Sequence, residues 1–382
     1  MMKKVTAAAA VFMIGASLAA CTAERTPTTS TDGGTDGGDT TTAAECNVGI
    51  SMPTRSLERW INDGEHLQEL LKGEDCTVDL QYADNKTDQQ ISQIQNQIAG
   101  GAKILVIAPI DGDALGPVLE DAKKQNATVI AYDRLINNTE NVDYYATFDN
   151  YEVGQLQGHF IEEQLGLADG EGPFNLEPFA GSPDDNNASF FFGGAWDVLL
   201  PYIEAGQLVV PSGKDPKSKD DWASIGIQGW ASDKAQSEMD NRLSSFYSGG
   251  DKVDVVLSPN DSLAIGIEAS LKSAGYTPGD DYPIITGQDA DKANVQAMID
   301  GEQSMTVWKD TRTLGDQVFK MIQAVNAGDE PETNDTETYD NGVKVVPSFL
   351  LESDIVTSDK IQSLLIDSGY WTKDEVAAGV AD

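Results

Sequence analysis

Six short polar pairs recur where an apolar run hands over to a helical pattern: Arg59-Trp60, Asp133-Arg134, Asn186-Asn187, Asn260-Asp261, Gln288-Asp289 and Trp308-Lys309. Guanidinium, carboxylate and amide groups pair with vicinal hydroxyls, and an indole face covers the apolar C–H face of a ring. Together they suit a small polyhydroxylated ligand. The Asn and Asp members have an ordinary alternative as helix caps. Arg134 and Lys309 carry more weight, because the positive end of a helix does not call for a cation. Asp111 and Asp261 are read as caps, and Asn186 and Asn187 are interchangeable at this level. Asp133 and Asp289 could alternatively act as the acid and base of a glycosidase. Against that, Arg134 beside one of them favours its ionised form and spoils a general acid.

The elements that must position these residues follow from periodicity. Ile104 to Ile107 and Thr128 to Tyr132 are uniformly apolar, as in strands buried on both faces, and Leu115, Val118, Leu119 and Ala122 between them mark an amphipathic helix. Such strand–helix–strand units make parallel sheets, whose ligands bind past the strands' carboxyl ends. Strands are predicted at 47–52, 78–82 and 144–148 as well. The alternation restarts after a Gly- and Asp-rich loop, with strands near 174–179, 208–210, 253–257 and 283–286 and helices at 188–203, 232–247 and 263–274. The segment 211–229 is the longest irregular stretch. The expectation is an α/β fold of two doubly wound parallel-sheet lobes joined by a hinge that the chain crosses several times. Residues 46–149 plus 290–338 are assigned to the first lobe, and 150–289 plus 339–382 to the second. In this reading the helix 293–299, the strand 305–308 and the helix 314–325 complete the first lobe, and Val343 to Leu351 returns to the second.

Charge and cysteines narrow the setting. With 25 Lys+Arg against 63 Asp+Glu the net charge is -38, which excludes nucleic acid or an anionic membrane surface as partners needing a basic face. Two lysines near the start, an apolar run from Val5 to Ala16 and then Leu18-Ala19-Ala20-Cys21 match a bacterial lipoprotein signal over residues 1–20, with Cys21 lipidated. Thr-, Gly- and Asp-rich residues 21–45 read as a flexible tether. The expected location is extracytoplasmic, held to the membrane by lipid. Cys46 and Cys76 each precede a predicted strand; if those strands are parallel neighbours, a structural disulfide is expected. No His or Cys cluster suggests a metal, no cofactor is expected, and His66 and His159 fall within helices as packing or surface residues.

The segments MPTRSLERW (Met52–Trp60), LQYAD (Leu80–Asp84), AYDRLI (Ala131–Ile136), YYATFDN (Tyr144–Asn150), GSPDDNNA (Gly181–Ala188), LSPNDSLAIG (Leu257–Gly266), GQDA (Gly287–Ala290), WKDTR (Trp308–Arg312) and NGVKVVPS (Asn341–Ser348) carry a resemblance. In order and spacing they resemble the type I periplasmic monosaccharide-binding proteins of ABC importers, in the xylose and multiple-sugar branch, over nearly everything from Asn47 onward. The resemblance implies a non-enzymatic, monomeric receptor that captures an aldose by hinge closure and delivers it to an ABC permease, with a membrane sensor as a second partner. It further implies that Arg59, Trp60 and additionally Arg55 contact the sugar, with Asp133 and Arg134 gripping hydroxyls and the ring oxygen. Asn187, Trp230, Asn260 and Asp289 would come from the second lobe and Lys309 from the hinge, with Trp60 and Trp230 sandwiching the pyranose. The run Lys214 to Asp221 departs from the family pattern.

Overall fold

The computed structural model describes residues 46–379 apart from Asp75, Asp280 and Asp281. The expected signal peptide, the lipidation site Cys21 and the tether lie outside the described residues. Along the first third, β1 (Asn47–Met52), α1 (Glu58–Lys72), β2 (Thr77–Tyr82), α2 (Thr87–Ala99), β3 (Ile104–Ile107), α3 (Gly116–Lys124), β4 (Thr128–Tyr132) and β5 (Tyr144–Phe148) alternate. The strands pair in parallel in the order β5-β4-β3-β1-β2. β3 is buried at every position, as a strand covered on both faces must be, whereas the edge strand β2 leaves Thr77 and Asp79 exposed. Trp60, Leu67 and Leu71 form the buried stripe of α1. The register Asn47↔Thr77 puts the starts of β1 and β2 on one edge, where Cys46 and Cys76 are bonded with their Cα atoms 4.7 Å apart.

A second sheet follows from α4 (Asn150–Leu165), β6 (Phe174–Pro178), α5 (Asn186–Glu204), β7 (Leu208–Val209), α6 (Ser232–Phe246), β8 (Val255–Leu257), α7 (Asp261–Ser273) and β9 (Ile284–Ile285). Its order is β7-β6-β8-β9, again parallel. α4 and α5 meet almost backbone to backbone: a Cβ added at Gly154 would stand 2.0 Å from Phe191 O. The irregular segment 211–229 runs into two short 3₁₀ turns, Lys219–Ile225 and Gln228–Trp230.

The last third, α8 (Lys292–Ile299), β10 (Thr306–Trp308), α9 (Thr311–Ala327), β11 (Ser348–Leu351), β12 (Asp354–Val356) and α10 (Lys373–Ala378), departs from the expected division. Residues 292–308 do not join the first sheet: α8 packs on α7 and α10, and Met305 and Val307 are buried with Leu263, Ile267 and Ile285 of the second core. Only α9 crosses over, setting Leu314, Val318 and Met321 against Trp60 and Leu67. β11 then pairs in parallel with β5 as the sixth strand of the first sheet, where the sequence reading sent it to the second. The reason is an open edge on β5, against which Phe349 and Leu351 pack into the first core. β12 ends up antiparallel to β10 in the second half. The chain therefore passes between the halves after β5, after β10 and after β11. These passages lie side by side: Asp149 N–H donates to Leu351 O at 3.0 Å, and Trp308 pairs with Asp354.

Candidate ligand-binding site

Three of the site residues sit on left-handed backbone that non-glycine residues keep only when their surroundings fix it: Asp133 (φ 60°), Trp230 (φ 54°) and Asp289 (φ 97°). At the end of β4, Asp133 N–H donates to Ala146 O at 2.7 Å, and its carbonyl accepts from Tyr145 Oη (2.7 Å), Thr147 Oγ1 (2.8 Å) and Asn187 Nδ2 (2.6 Å). After β9, Asp289 N–H donates to Val307 O at 2.9 Å, and Ala290 N–H to Thr306 Oγ1 at 3.2 Å. Asp291 N–H donates to Asp261 Oδ2 at 2.9 Å. Asp261 is a buried brace rather than the expected cap; the cap of α7 is Asn260, whose Oδ1 accepts Leu263 N–H at 3.1 Å. Trp230 lies over Gly181, where a Cβ would stand 2.1 Å from the indole, and donates its Nε1–H to Asp185 Oδ2 at 3.0 Å.

The charges interlock. Arg59, in the first turn of α1, donates Nε and Nη2 to Asp63 Oδ2 at 3.2 and 3.1 Å, Nη2 to Asp133 Oδ1 at 2.7 Å and Nη1 to Asp289 Oδ1 at 3.3 Å. Lys309 Nζ lies 3.1 Å from Asp289 and 4.0 Å from Asp133. Arg134 Nε lies 2.8 Å from Asp185 Oδ2. Three cations thus face four buried carboxylates. Burial of Asp289 works to raise its carboxyl, but Lys309 and Arg59 more than offset this and hold it below the ordinary range. Asp185 is raised by burial, with Arg134 opposing. Asp63, which also accepts a hydrogen bond from Tyr132 Oη, is pushed up by burial to about 6. Arg59 loses by burial, yet Asp133, Asp63 and Asp289 carry it well above its usual value.

Arg59, Arg134, Lys309, Asp133, Asp185 and Asp289 line one tight cavity of about 20 Å³, together with Trp60, Asn187, Asn260, Trp230, Phe191, Gln288 and Leu57, whereas Asp63 lies behind Arg59. The guanidinium carbons of Arg59 and Arg134 lie 4.5 and 5.1 Å from the Trp60 ring centre. Trp60 Nε1 and Gln288 Oε1 are buried without a hydrogen-bond partner among the described residues.

Every predicted ligand residue except Arg55 reaches this cavity. Arg55 turns outward to stack on Tyr82 at 3.8 Å and sits 3.9 Å from Glu65, its side chain 56% exposed. It lies on the loop before α1, a turn short of the helical face that aims Arg59 and Trp60 inward. Asn187 lines the cavity and Asn186 does not. Asp185, Phe191 and Leu57 were missed. Asp185 had a signal, since it begins α5 as its cap, accepting Asn187 N–H at 3.0 Å. Gln288, named among the six pairs but not among the ligand residues, lines the cavity, and Phe191, one helical turn after Asn187, had no signal beyond that spacing. Among the described residues no group of three or more His, Cys, Asp or Glu could hold a metal ion, and no helix is long and apolar enough to cross a membrane.

Comparison with known proteins places this geometry. Residues 48–330 match the family described as periplasmic binding protein domain. The chain is 49% identical over 330 residues to the multiple sugar-binding periplasmic receptor ChvE of Rhizobium radiobacter, covering 86% of this chain and 92% of that one. It is 33% identical to the D-xylose-binding periplasmic protein of Escherichia coli, over 87% of this chain and 93% of the relative. Among solved structures, an ABC transporter solute binding protein from Clostridium phytofermentans with bound β-D-glucose superposes with a TM-score of 0.82 at 51% identity, covering 86% of this chain and 99% of its own.

Proposed function

The chain belongs to the periplasmic binding protein family, and on that premise we propose that it captures an aldose monosaccharide by hinge closure and delivers it to an ABC importer. The observation that carries this reading is the one cavity in which two indoles, three cations and three carboxylates converge from both halves. The protein is an extracytoplasmic solute receptor and not an enzyme. Asp289, held below the ordinary carboxylate range by Lys309 and Arg59, is not poised as a general acid.

In this reading the sugar docks first on Arg59, Trp60, Asp133 and Arg134. Closure then brings Asn187, Trp230, Asn260 and Asp289 over it, with Lys309 completing the polar shell. Trp60 and Trp230 cover the two faces of the pyranose. Each carboxylate or cation matched to a hydroxyl discriminates, because an analogue lacking that hydroxyl leaves a desolvated charge unpaired. The protein acts as a lipid-anchored monomer through Cys21, and the Cys46–Cys76 bridge suits an oxidising exterior. Calorimetric titration of D-xylose, D-glucose, D-galactose and L-arabinose into the purified full-length protein tests the proposal. We expect saturable one-to-one binding of at least one, with a change in tryptophan fluorescence; a protein that binds none of them is not this receptor.

A further inference from the structure

Outside the cavity a further ion pair joins the two halves. Glu58, the first residue of α1 and the neighbour of Arg59, engages Lys292 twice: Oε1 lies 3.1 Å from Nζ, and Oε2 accepts the backbone N–H at 3.1 Å. The side chains are only 9% and 7% exposed, and neither lines the cavity. Lys292 opens α8 in the second half and is held ready there. Its Nζ lies 4.6 Å from the Trp371 ring centre and 3.6 Å from Glu375, and Trp371 is itself fixed by Nε1–H donation to Ala290 O at 2.8 Å. Separating the halves leaves Lys292 with these neighbours and strips Glu58 of its partner.

The order of charges is crossed. The first half presents Glu58 and then Arg59, negative then positive, and the second presents Asp289 and then Lys292 in the same order. In register, Glu58 meets Lys292 and Arg59 meets Asp289. Any slip that exchanged the partners would set like charge against like, which disfavours closure in the wrong alignment.

We propose that Glu58 and Lys292 form a latch that favours the closed arrangement while touching no ligand. This rests on the closure reading above. When only a fraction of the free protein is competent, the apparent Kd is the intrinsic one divided by that fraction. Loss of the latch therefore weakens every sugar by one common factor, whereas loss of a contact residue weakens sugars unequally.

Glu58→Gln keeps a carbonyl for the Lys292 N–H and removes the charge. D-glucose, D-xylose and D-galactose are titrated into full-length wild type, Glu58→Gln, Lys292→Met and the double variant, with folding followed by circular dichroism. We expect each single variant to weaken all sugars bound by the wild type by the same factor, roughly ten- to hundredfold, with the double variant no worse than the weaker single. Unchanged affinities, or factors that differ from sugar to sugar, overturn the latch. If Glu58→Gln does not fold, Lys292→Met alone carries the comparison. A wild type that binds none of the three overturns the receptor reading instead.

Discussion

Trp60 is the aromatic wall whose loss is simplest to interpret, since its indole lines the cavity and its N–H has no partner among the described residues. Trp60→Ala should weaken sugar binding tenfold or more, on the basis of about 1–3 kcal/mol for a buried aromatic anchor, and calorimetry reads this directly. Unchanged affinity would remove Trp60 from the site. Asp63 offers a test by pH. Burial lifts its carboxyl to about 6 from an ordinary 3.8. The folded protein therefore holds that proton more tightly than the unfolded chain. Its contribution to stability is fully present below the unfolded value and is lost as pH rises through about 6. Asp63→Asn removes this decline, so the stability difference should move in the variant's favour by on the order of 2–3 kcal/mol between about pH 4 and 7. Urea melts at the two pH values measure it, and a difference independent of pH would contradict the assignment. Residue types at strand ends were legible because recognition chemistry restricts them, as at Arg134 and Lys309. Direction was not: nothing in the letters of Arg55 and Arg59 says that one stacks outward on Tyr82 and the other turns in.

Among the elements, the turn carrying Trp230 depends on the strand end opposite. Gly181 faces the indole so closely that a methyl group would stand 2.1 Å from it. Gly181→Ala should displace Trp230 and lower affinity by roughly tenfold or more while the far-ultraviolet circular dichroism stays unchanged. Retained affinity would mean that the ring does not contact the sugar. The strands were legible where burial on both faces forces uniformly apolar runs, as in β3 and β4. The approach to Trp230 was not, because 3₁₀ turns such as Lys219–Ile225 carry no period long enough to read. β11 was misassigned for a related reason: four residues, Ser348–Leu351, record that they pair but not with which edge.

At the scale of the molecule, attachment should depend on one atom. If the lipid reading is right, Cys21→Ser moves the protein from the membrane fraction to the soluble fraction without altering sugar affinity; an unaltered membrane fraction would end that reading. Two sheets were evident from the doubled alternation of strands and helices, whereas the assignment of 292–308 was not, since short elements such as β10 belong to whichever core has room. The threading that results has a mechanical meaning. Three strands of backbone run next to one another between the halves, tied by Asp149 to Leu351 and by Trp308 to Asp354. Parallel straps of this kind bend together about one line and resist shear and torsion, so the jaw has a single stroke. A protease that severed one strap would leave two still guiding the swing, and the nicked receptor would go on closing along its original arc.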